Sequence, residues 1–400
     1  MVKTPLEGVT ILDVSTMIAA PYGTALLGDF GADVIKVEIP GRGDTSRSVG
    51  PFSEDGEPLR WPGLSRNKRS LTLDLHQTEG VTNFKKKLAK KADILVENFR
   101  PGTLEKWGVG YDVLKEENPD LIMIRVSGYG RLGHIKKKQG FGTPATAFSG
   151  YTYLQGFTDR HPVSPPFSLT DYICGIYVAF AAVTALYNRD ISEEGSGQMV
   201  DIALYETVFR MMEFLVAEYD QLQKVRERAP GLHGHSSPSG TFKTKDGHWV
   251  VLVTSTDTTF NRLADAMDRK DMLEDPRYYT NSKRLENNDE TNEIVGAWIA
   301  TKERKDLLEQ LDQFGVPVSP VMSIEDIFND EQYKARENIV QVNHPRLGTI
   351  KVPGIIPKFE KTPGSIRSIA PDLGENNEEI LTDIGLTVDE IVQLRTKNVI

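Results

Sequence analysis

The chain runs to 400 residues, past the roughly 250 to 300 at which a single hydrophobic core stops growing, so two domains are expected. With 39% hydrophobic and 26% charged residues it has an ordinary globular composition, neither disordered nor collagen-like. A formal net charge of -10 argues against a general nucleic-acid or membrane-surface binder, so an anionic ligand must be held by local positive groups.

The N-terminal residues lead straight into a strand pattern without an apolar signal core, and Cys174 is the only cysteine. No internal disulfide or cysteine-built metal site is then available, and a reducing, cytoplasmic setting is expected. Residues 9–14 read as a buried strand, 16–30 as a helix closed by Gly31, and 33–39 as a second strand, which together make a βαβ unit. The rhythm continues with strands at 71–75, 93–97 and 121–126 and helices at 79–91 and 104–117. Such alternation predicts a doubly wound, Rossmann-like parallel sheet with ligands beyond the carboxyl ends of its strands.

Turn clusters sit at those ends. Pro40-Gly-Arg-Gly-Asp44 follows the second strand, but no G-x-G-x-x-G opens the first helix, so it is not a dinucleotide fingerprint. Asn98-Phe-Arg-Pro-Gly102 ends the fourth strand in a ligand-loop position. Two basic runs, Arg66-Asn-Lys-Arg69 and Lys136-Lys-Lys138, read either as solvated surface or as phosphate contacts.

Residues 168–187 are the most unusual stretch. Asp171 is their only charge, and the segment behind it is apolar on every helical face, which predicts a helix buried on all sides. It is too short and too rich in small residues for a membrane span of about 20 apolar residues. Ser168 and Asp171 are spaced as an N-cap and an acidic third residue, so Asp171 reads as capping chemistry as readily as functional chemistry. Cys174, on the same helix, reads as a buried structural thiol.

Residues 193–197 form a turn, 198–202 a short strand and 205–225 a long helix. The Gly/Pro/Ser-rich stretch from Pro230 to Gly240 is the best domain boundary; its His233 and His235 lack the further ligands a metal would need. A hairpin around Asp246-Gly247 spans 241–253, helical patterns fill 257–314, and 316–322 is a strand. A second hairpin follows at 338–356, and two short helices beyond 376 should pack back on the first domain. The expected division is a large domain of residues 1–225 completed by 335–400, with a smaller α/β domain and its linkers at 226–334.

With these residues placed, the chain closely resembles the family III CoA-transferases, which include the formyl-CoA, carnitine and bile-acid-inducible CoA-transferases. The resemblance rests on Pro5-Leu-Glu-Gly-Val-Thr-Ile-Leu-Asp-Val-Ser15, Ala20-Pro21, Gly31-Ala-Asp-Val-Ile-Lys-Val-Glu38 and Gly43-Asp44 with Arg47. It continues through Asn67-Lys-Arg-Ser70, Leu73-Asp74, Val96-Glu-Asn-Phe-Arg-Pro-Gly102 and Gly195-Ser-Gly-Gln198, nearly end to end. It implies that Asp171, opening an Asp-x-x-x-Gly helix with Gly175, is the catalytic nucleophile. Aspartyl anhydride and aspartyl-CoA thioester intermediates would carry CoA from an acyl-CoA donor to a carboxylic acid acceptor.

The resemblance also implies CoA contacts at Ile18, Ala19, Ile39, Leu73, Asn98, Phe99, Arg100, Lys106 and Gln139. It implies an interlocked, ring-like homodimer, with CoA as substrate and no permanently bound cofactor or metal. Three positions depart from the formyl-CoA transferase branch: Ile39 replaces an arginine, Ile18 a glutamine and Gly142 a glutamate, which argues against formyl-CoA and oxalate as substrates. The Gly-rich flap of that branch has only Ser236-Ser-Pro-Ser-Gly240 as its counterpart. Two alternatives share the fold. An α-methylacyl-CoA racemase is disfavoured because Phe141 stands where its histidine base would be. A non-catalytic acyl-CoA binding protein would have Asp171 unmodified by acyl-CoA.

Overall fold

Six apolar runs pair edge to edge in one sheet: β1 (Thr10–Asp13), β2 (Asp33–Glu38), β3 (Lys68–Thr72), β4 (Ile94–Glu97), β5 (Ile122–Ser127) and β6 (Met199–Ala203). The computed structural model describes residues 4–193, 195–229 and 235–400. All neighbouring strands are parallel, in the order β3-β2-β1-β4-β5-β6, so the strand order reverses on either side of β1. A crevice opens at such a reversal because the connections leave β1 and β4 toward opposite sides.

The expected doubly wound α/β sheet is therefore present, with local differences. β3 begins at Lys68 rather than at Leu71, because Lys68 is buried against a carboxylate and can occupy a strand position that a hydrophobic pattern cannot reveal. The first helix is α1 (Ala19–Asp29); α2 (Trp61–Ser65) precedes β3. The helix expected at 79–91 is α3 (Thr78–Asn83) running into a π-helical turn, Phe84–Ala89, which buries Phe84, Leu88 and Ala89. The single helix expected at 104–117 is two, α4 (Thr103–Lys106) and α5 (Tyr111–Glu117), divided where Gly108 adopts φ +75°. Short helices α6 (Gly142–Phe148) and α7 (Tyr151–Leu154) precede the long α8 (Leu169–Ile191). The helix expected at 205–225 is α9 (Leu204–Phe209), a 3₁₀ turn at Arg210–Met212 and α10 (Glu213–Leu222).

Alternation along the strands divides the apolar residues between two layers. Ile11, Val34, Ile94, Val96, Ile122 and Ile124 meet α1 and α8 on one face. Leu12, Ile35, Val37, Leu95 and Met123 meet Phe84, Leu88, Leu104 and Leu114 on the other, joined by Ile380, Leu381, Ile391 and Leu394 of the C-terminal helices Asn377–Asp383 and Val388–Thr396. That tail is also tied to β3, where Asn376 and Asn377 accept from the backbone N–H of Ser70 and Thr72.

α8 crosses α1 where two glycines meet. A Cβ at Gly175 would lie 2.8 Å from the Ala19 carbonyl oxygen and 3.1 Å from the Gly23 nitrogen, and one at Gly23 would lie 2.7 Å from the Gly175 carbonyl oxygen. α8 is not buried on all sides as its composition predicts. Cys174, Val178, Ala182 and Ala185 face inward, whereas Ile176, Phe180, Val183, Tyr187 and Ile191 form an exposed apolar stripe at helical spacing. Only one face can pack on α1 and the sheet within the chain. Among the described residues α8 is the one helix long and apolar enough by length and composition to cross a membrane.

By contacts the chain divides into two compact units, residues 1–152, 164–223 and 335–400, and residues 153–163 and 224–334. Within the first, β10 (Ile339–His344) and β11 (Gly348–Pro353) form an antiparallel hairpin. The second unit holds β7 (Ser239–Lys243), β8 (Trp249–Val253) and β9 (Val318–Pro320), a three-stranded antiparallel sheet in which β7 and β8 are the hairpin turning at Gly247. Its core gathers Phe242, Val250, Phe260, Leu263, Val295 and Leu307. The first part of the predicted connector, Pro230 to Gly234 with His233, lies outside the described residues. Ser236 and Ser237 are buried, and the Ser237 carbonyl accepts from Arg284 at 2.6 Å, so this stretch is built into the start of β7.

The glycine crossing sets a test. Gly175→Val should destabilise the fold by about 2 kcal/mol or more through overpacking. Urea denaturation reads it, and an unchanged midpoint would show that the helices can separate without penalty.

Candidate active site

The loops at the carboxyl ends of β1 and β4 form the crevice, and hydrogen bonds hold them in one shape. Asn98 clasps Thr16 twice, accepting from its N–H at 2.8 Å and donating to its carbonyl at 2.6 Å. Asp44, from the turn after β2, accepts from the Met17 N–H at 3.1 Å. Met17 has φ +68°, a left-handed conformation that costs a non-glycine residue about 1 kcal/mol, so these clasps keep in place a backbone that would otherwise relax. Ile18 and Ala19 are thereby held at the start of α1, and the Glu97 carboxylate fixes Phe99 by accepting from its N–H at 2.7 Å.

Asp171 faces a cavity of ≈ 250 Å³ lined by Met17, Ile18, Ala19, Asn98, Phe99, Arg100, Lys138, Gln139 and Phe141. Six expected contacts thus meet the carboxylate in one place: Ile18, Ala19, Asn98, Phe99, Arg100 and Gln139. The Arg100 guanidinium donates to the Gln139 side-chain carbonyl, linking two walls of the cavity. Phe141 is 56% exposed, and the described lining contains no histidine that could act as an α-proton base.

The capping reading of Asp171 holds in part: it stands in the first turn of α8, where the macrodipole favours an anion. Ser168 occupies the N-cap position of α8, but its side chain makes no capping hydrogen bond, so no capping box forms. Burial pushes the Asp171 carboxyl up from 3.8 to about 6, and the Arg60 guanidinium opposes that push only in part. Above that value it is an ionised, poorly solvated carboxylate, which is more reactive than one in water. Gly142 makes room for it: a Cβ there would fall 2.0 Å from Asp171 Oδ2.

A second cavity, ≈ 170 Å³, adjoins the first across Thr16 and Phe99. It is lined by Ile39, Leu73, Leu75, His76, Phe99 and Trp107. Trp107 sits edge-on to His76 and Phe99, with ring centroids 4.7 and 5.0 Å away, and His76 Nδ1 is 2.8 Å from Asp74 Oδ1. Ile39 and Leu73 therefore line this cavity, whereas Lys106 is exposed on α4 and lines neither.

Below the crevice is a cluster of buried charges that hydrophobic patterning does not reveal. Asp13, Lys36, Asp44 and Lys68 are all almost fully buried. Lys68 Nζ is 2.8 Å from Asp13, Lys36 Nζ is 2.9 Å from Asp44, and Lys36 also donates to the Ser15 carbonyl. Burial by itself would push the Asp13 and Asp44 carboxyls up; the buried lysines outweigh it and hold both below the usual carboxylate range. The basic run 66–69 is neither solvated nor turned to a ligand: Arg66 pairs with Asp29, Lys68 with Asp13 and Arg69 with Asp33. Of the run 136–138, Lys138 lines the Asp171 cavity. No group of three or more metal-ligating side chains occurs among the described residues.

Comparisons with known proteins identify the family. The family described as CoA-transferase family III matches residues 6–377. The chain is 44% identical over 400 residues to the succinyl-CoA–L-malate CoA-transferase beta subunit of Chloroflexus aurantiacus, covering 99% of this chain and 98% of the relative. It is 40% identical over 397 residues to the succinyl-CoA–D-citramalate CoA-transferase of the same organism, with the same coverage. A solved CAIB/BAIF family protein from Brucella suis superposes with a TM-score of 0.83 at 29% identity, covering 96% of this chain and 100% of that one. The chain belongs to CoA-transferase family III. It is an enzyme that moves CoA between an acyl-CoA and a carboxylic acid.

The raised Asp171 carboxyl has a stability consequence. Its folded value lies above its ordinary one, so the favourable contribution is complete below about 3.8 and is lost as pH rises through about 6. Asp171→Asn should therefore be more stable than the wild type at pH 8 by on the order of 2 kcal/mol. The difference should shrink as pH falls toward 4. Chemical denaturation at both pH values measures it, and a variant less stable at pH 8 would contradict the assignment of a strained carboxylate.

Proposed function

We propose that Asp171 is the nucleophile of CoA transfer. A carboxylate oxygen of Asp171 attacks the thioester carbonyl carbon of the donor, the C–S bond breaks, and CoA leaves as the thiolate with an acyl-aspartyl anhydride remaining. The thiolate then attacks the aspartyl carbonyl, which releases the donor acid and leaves an aspartyl-CoA thioester. The acceptor carboxylate attacks that thioester, forming a second anhydride and expelling the thiolate again. Attack of the thiolate on the acceptor carbonyl gives the new acyl-CoA and regenerates Asp171. Each step exchanges one activated acyl bond for another, so no ATP or metal is needed to drive it.

The observation that carries the proposal is the half-buried, raised carboxyl of Asp171 facing the cavity built by the strand-end loops. A rigid 23-residue helix holds that carboxylate in its first turn. The pantetheine arm is assigned to the Asp171 cavity, along Asn98, Phe99 and Arg100. The nucleotide is assigned to the adjoining cavity of Ile39, Leu73 and Trp107, with Lys106 outside it. The substrates are proposed to be dicarboxylic, with succinyl-CoA as donor and a C4 or C5 diacid as acceptor, because the relatives above are named for succinyl-CoA with malate or citramalate. A cytoplasmic setting and the absence of a permanently bound cofactor belong to the same proposal.

Incubation with succinyl-CoA and hydroxylamine should inactivate the enzyme and leave an aspartyl hydroxamate on the peptide containing Asp171. Asp171→Ala should lower kcat at least 1,000-fold, on the order expected for loss of a covalent nucleophile. In the wild type, kcat/KM for the acyl-CoA should fall about tenfold per pH unit below about 6. An Asp171→Ala variant with full transferase activity would sink the mechanism.

We also propose that the enzyme is an interlocked homodimer. The stripe of Ile176, Phe180, Val183, Tyr187 and Ile191 supports a second copy as its cover, since an apolar face of that size is unfavourable in water. Phe180→Glu should shift the mass measured by light scattering from dimer toward monomer. A wild-type mass equal to one chain would refute the dimer, and the mass of the isolated protein also decides whether a different subunit is required.

A further inference from the structure

Thr16 and Phe99 line both cavities, so a ligand that fills the two must pass them. Phe99 offers a ring, set edge-on to Trp107 with centroids 5.0 Å apart. Thr16 offers a hydroxyl. Among the described residues no group hydrogen-bonds Thr16 Oγ1, and that atom is not shut off in the interior, because Thr16 is half-buried and Oγ1 is open to the space around it.

Most polar groups nearby are already engaged within the chain. Lys36 Nζ is 2.9 Å from Asp44, Arg47 holds Glu38 at 2.8 Å, His76 Nδ1 is 2.8 Å from Asp74, and Arg100 donates to Gln139. The Thr16 hydroxyl is also positioned in advance. Asn98 grips the Thr16 backbone at both its N–H and its carbonyl, and Asp44 holds the N–H of the next residue at 3.1 Å. With that backbone fixed, the branched Cβ leaves the hydroxyl few directions. A donor set in place before its ligand arrives loses little freedom on binding.

We propose that the Thr16 hydroxyl donates a hydrogen bond to an amide carbonyl of the pantetheine arm where CoA crosses between the cavities, with Asn98 as its positioning residue. The inference rests on the assignment of the nucleotide to the Ile39 cavity and of the thioester to Asp171, and it adds a contact for the stretch between. The pantetheine arm is an alkyl chain interrupted by amides, which suits a ring beside a hydroxyl. The diphosphate suits the crossing less. Glu38, Asp44 and Asp74 line the nucleotide side, and its one lysine, Lys36, is already paired, so a second anion would meet like charge there.

The test replaces the acceptor acid by hydroxylamine and follows thiol release from three donors: succinyl-CoA, S-succinylpantetheine and the S-ethyl thioester of succinic acid, which has no arm. Thr16→Val removes the hydroxyl and keeps the branched shape. It should lower kcat/KM about tenfold with the first two donors, through KM, and no more than about twofold with the S-ethyl thioester. Thr16→Ser should recover most of the loss. Asn98→Ala should show the same split between donors, because the hydroxyl then has no fixed position. Equal losses with all three donors in either variant would overturn the proposal, as would unaltered kinetics in Thr16→Val. A Thr16→Val loss confined to succinyl-CoA would overturn it too, since the contact would then lie on the nucleotide or its diphosphate. Trp107→Ala checks the reading beneath: if KM for succinyl-CoA does not rise, the nucleotide is not in the Ile39 cavity. A wild type that releases thiol from no donor would instead remove the Asp171 mechanism.

Discussion

The structure depends on a group of charges placed where a hydrophobic core would ordinarily lie. Asp13 ends β1 beneath α1 and meets Lys68 from β3, while Lys36 from β2 reaches Asp44 in the turn beyond it. Removing one member would leave its partner charged and dry, a loss of about 3 to 5 kcal/mol, so the three strands and the turn are bound to one arrangement. Replacing a whole buried group of this kind by apolar residues is often neutral for stability, but here it would leave the Met17 N–H unclasped. The charges give the crevice its shape, and apolar packing could not do that.

From this base the active site is built outward in layers. Asp44 and Asn98 hold the strained backbone at Met17, that backbone sets the entry to α1, and the glycine crossing of α1 and α8 sets the height of Asp171 above the sheet. Only Asp171 in this series faces the cavity as a carboxylate without an ion-pair partner, yet each of the others determines where it stands. The enzyme accepts a destabilised acid at one point because several unstrained contacts surround it.

Much of the fold was legible in the sequence. Runs such as Ile11-Leu12 and Ile122-Met123-Ile124, separated by helical patterns, announce a parallel sheet, and β1, β2, β4 and β5 lie where periodicity puts them. β3 was displaced because Lys68 and Ser70 look like surface until their partners are known. The helix at 104–117 breaks at Gly108, whose positive φ no apolar pattern encodes. Composition likewise hides which face of α8 is covered, since a uniformly apolar helix has no distinguishable sides. At the site, Asp171 and the Asn98 loop were recognisable through resemblance. The Asp13 cluster was not, because its pairings join residues across long separations in the chain.

Gly142 has a consequence for volume. A carboxylate set against the start of a helix needs space that a packed interior does not ordinarily contain. The missing side chain of Gly142 at the start of α6 provides that space, and Asp171 Oδ2 itself fills it. Position 142 therefore works as a steric dial: alanine would crowd the acid before any substrate arrives, and a longer acidic residue would have to push Asp171 aside or take over part of its surroundings. A chain that keeps glycine here gives the start of α6 over to the carboxylate, and what meets its other oxygen is left to side chains along the crevice.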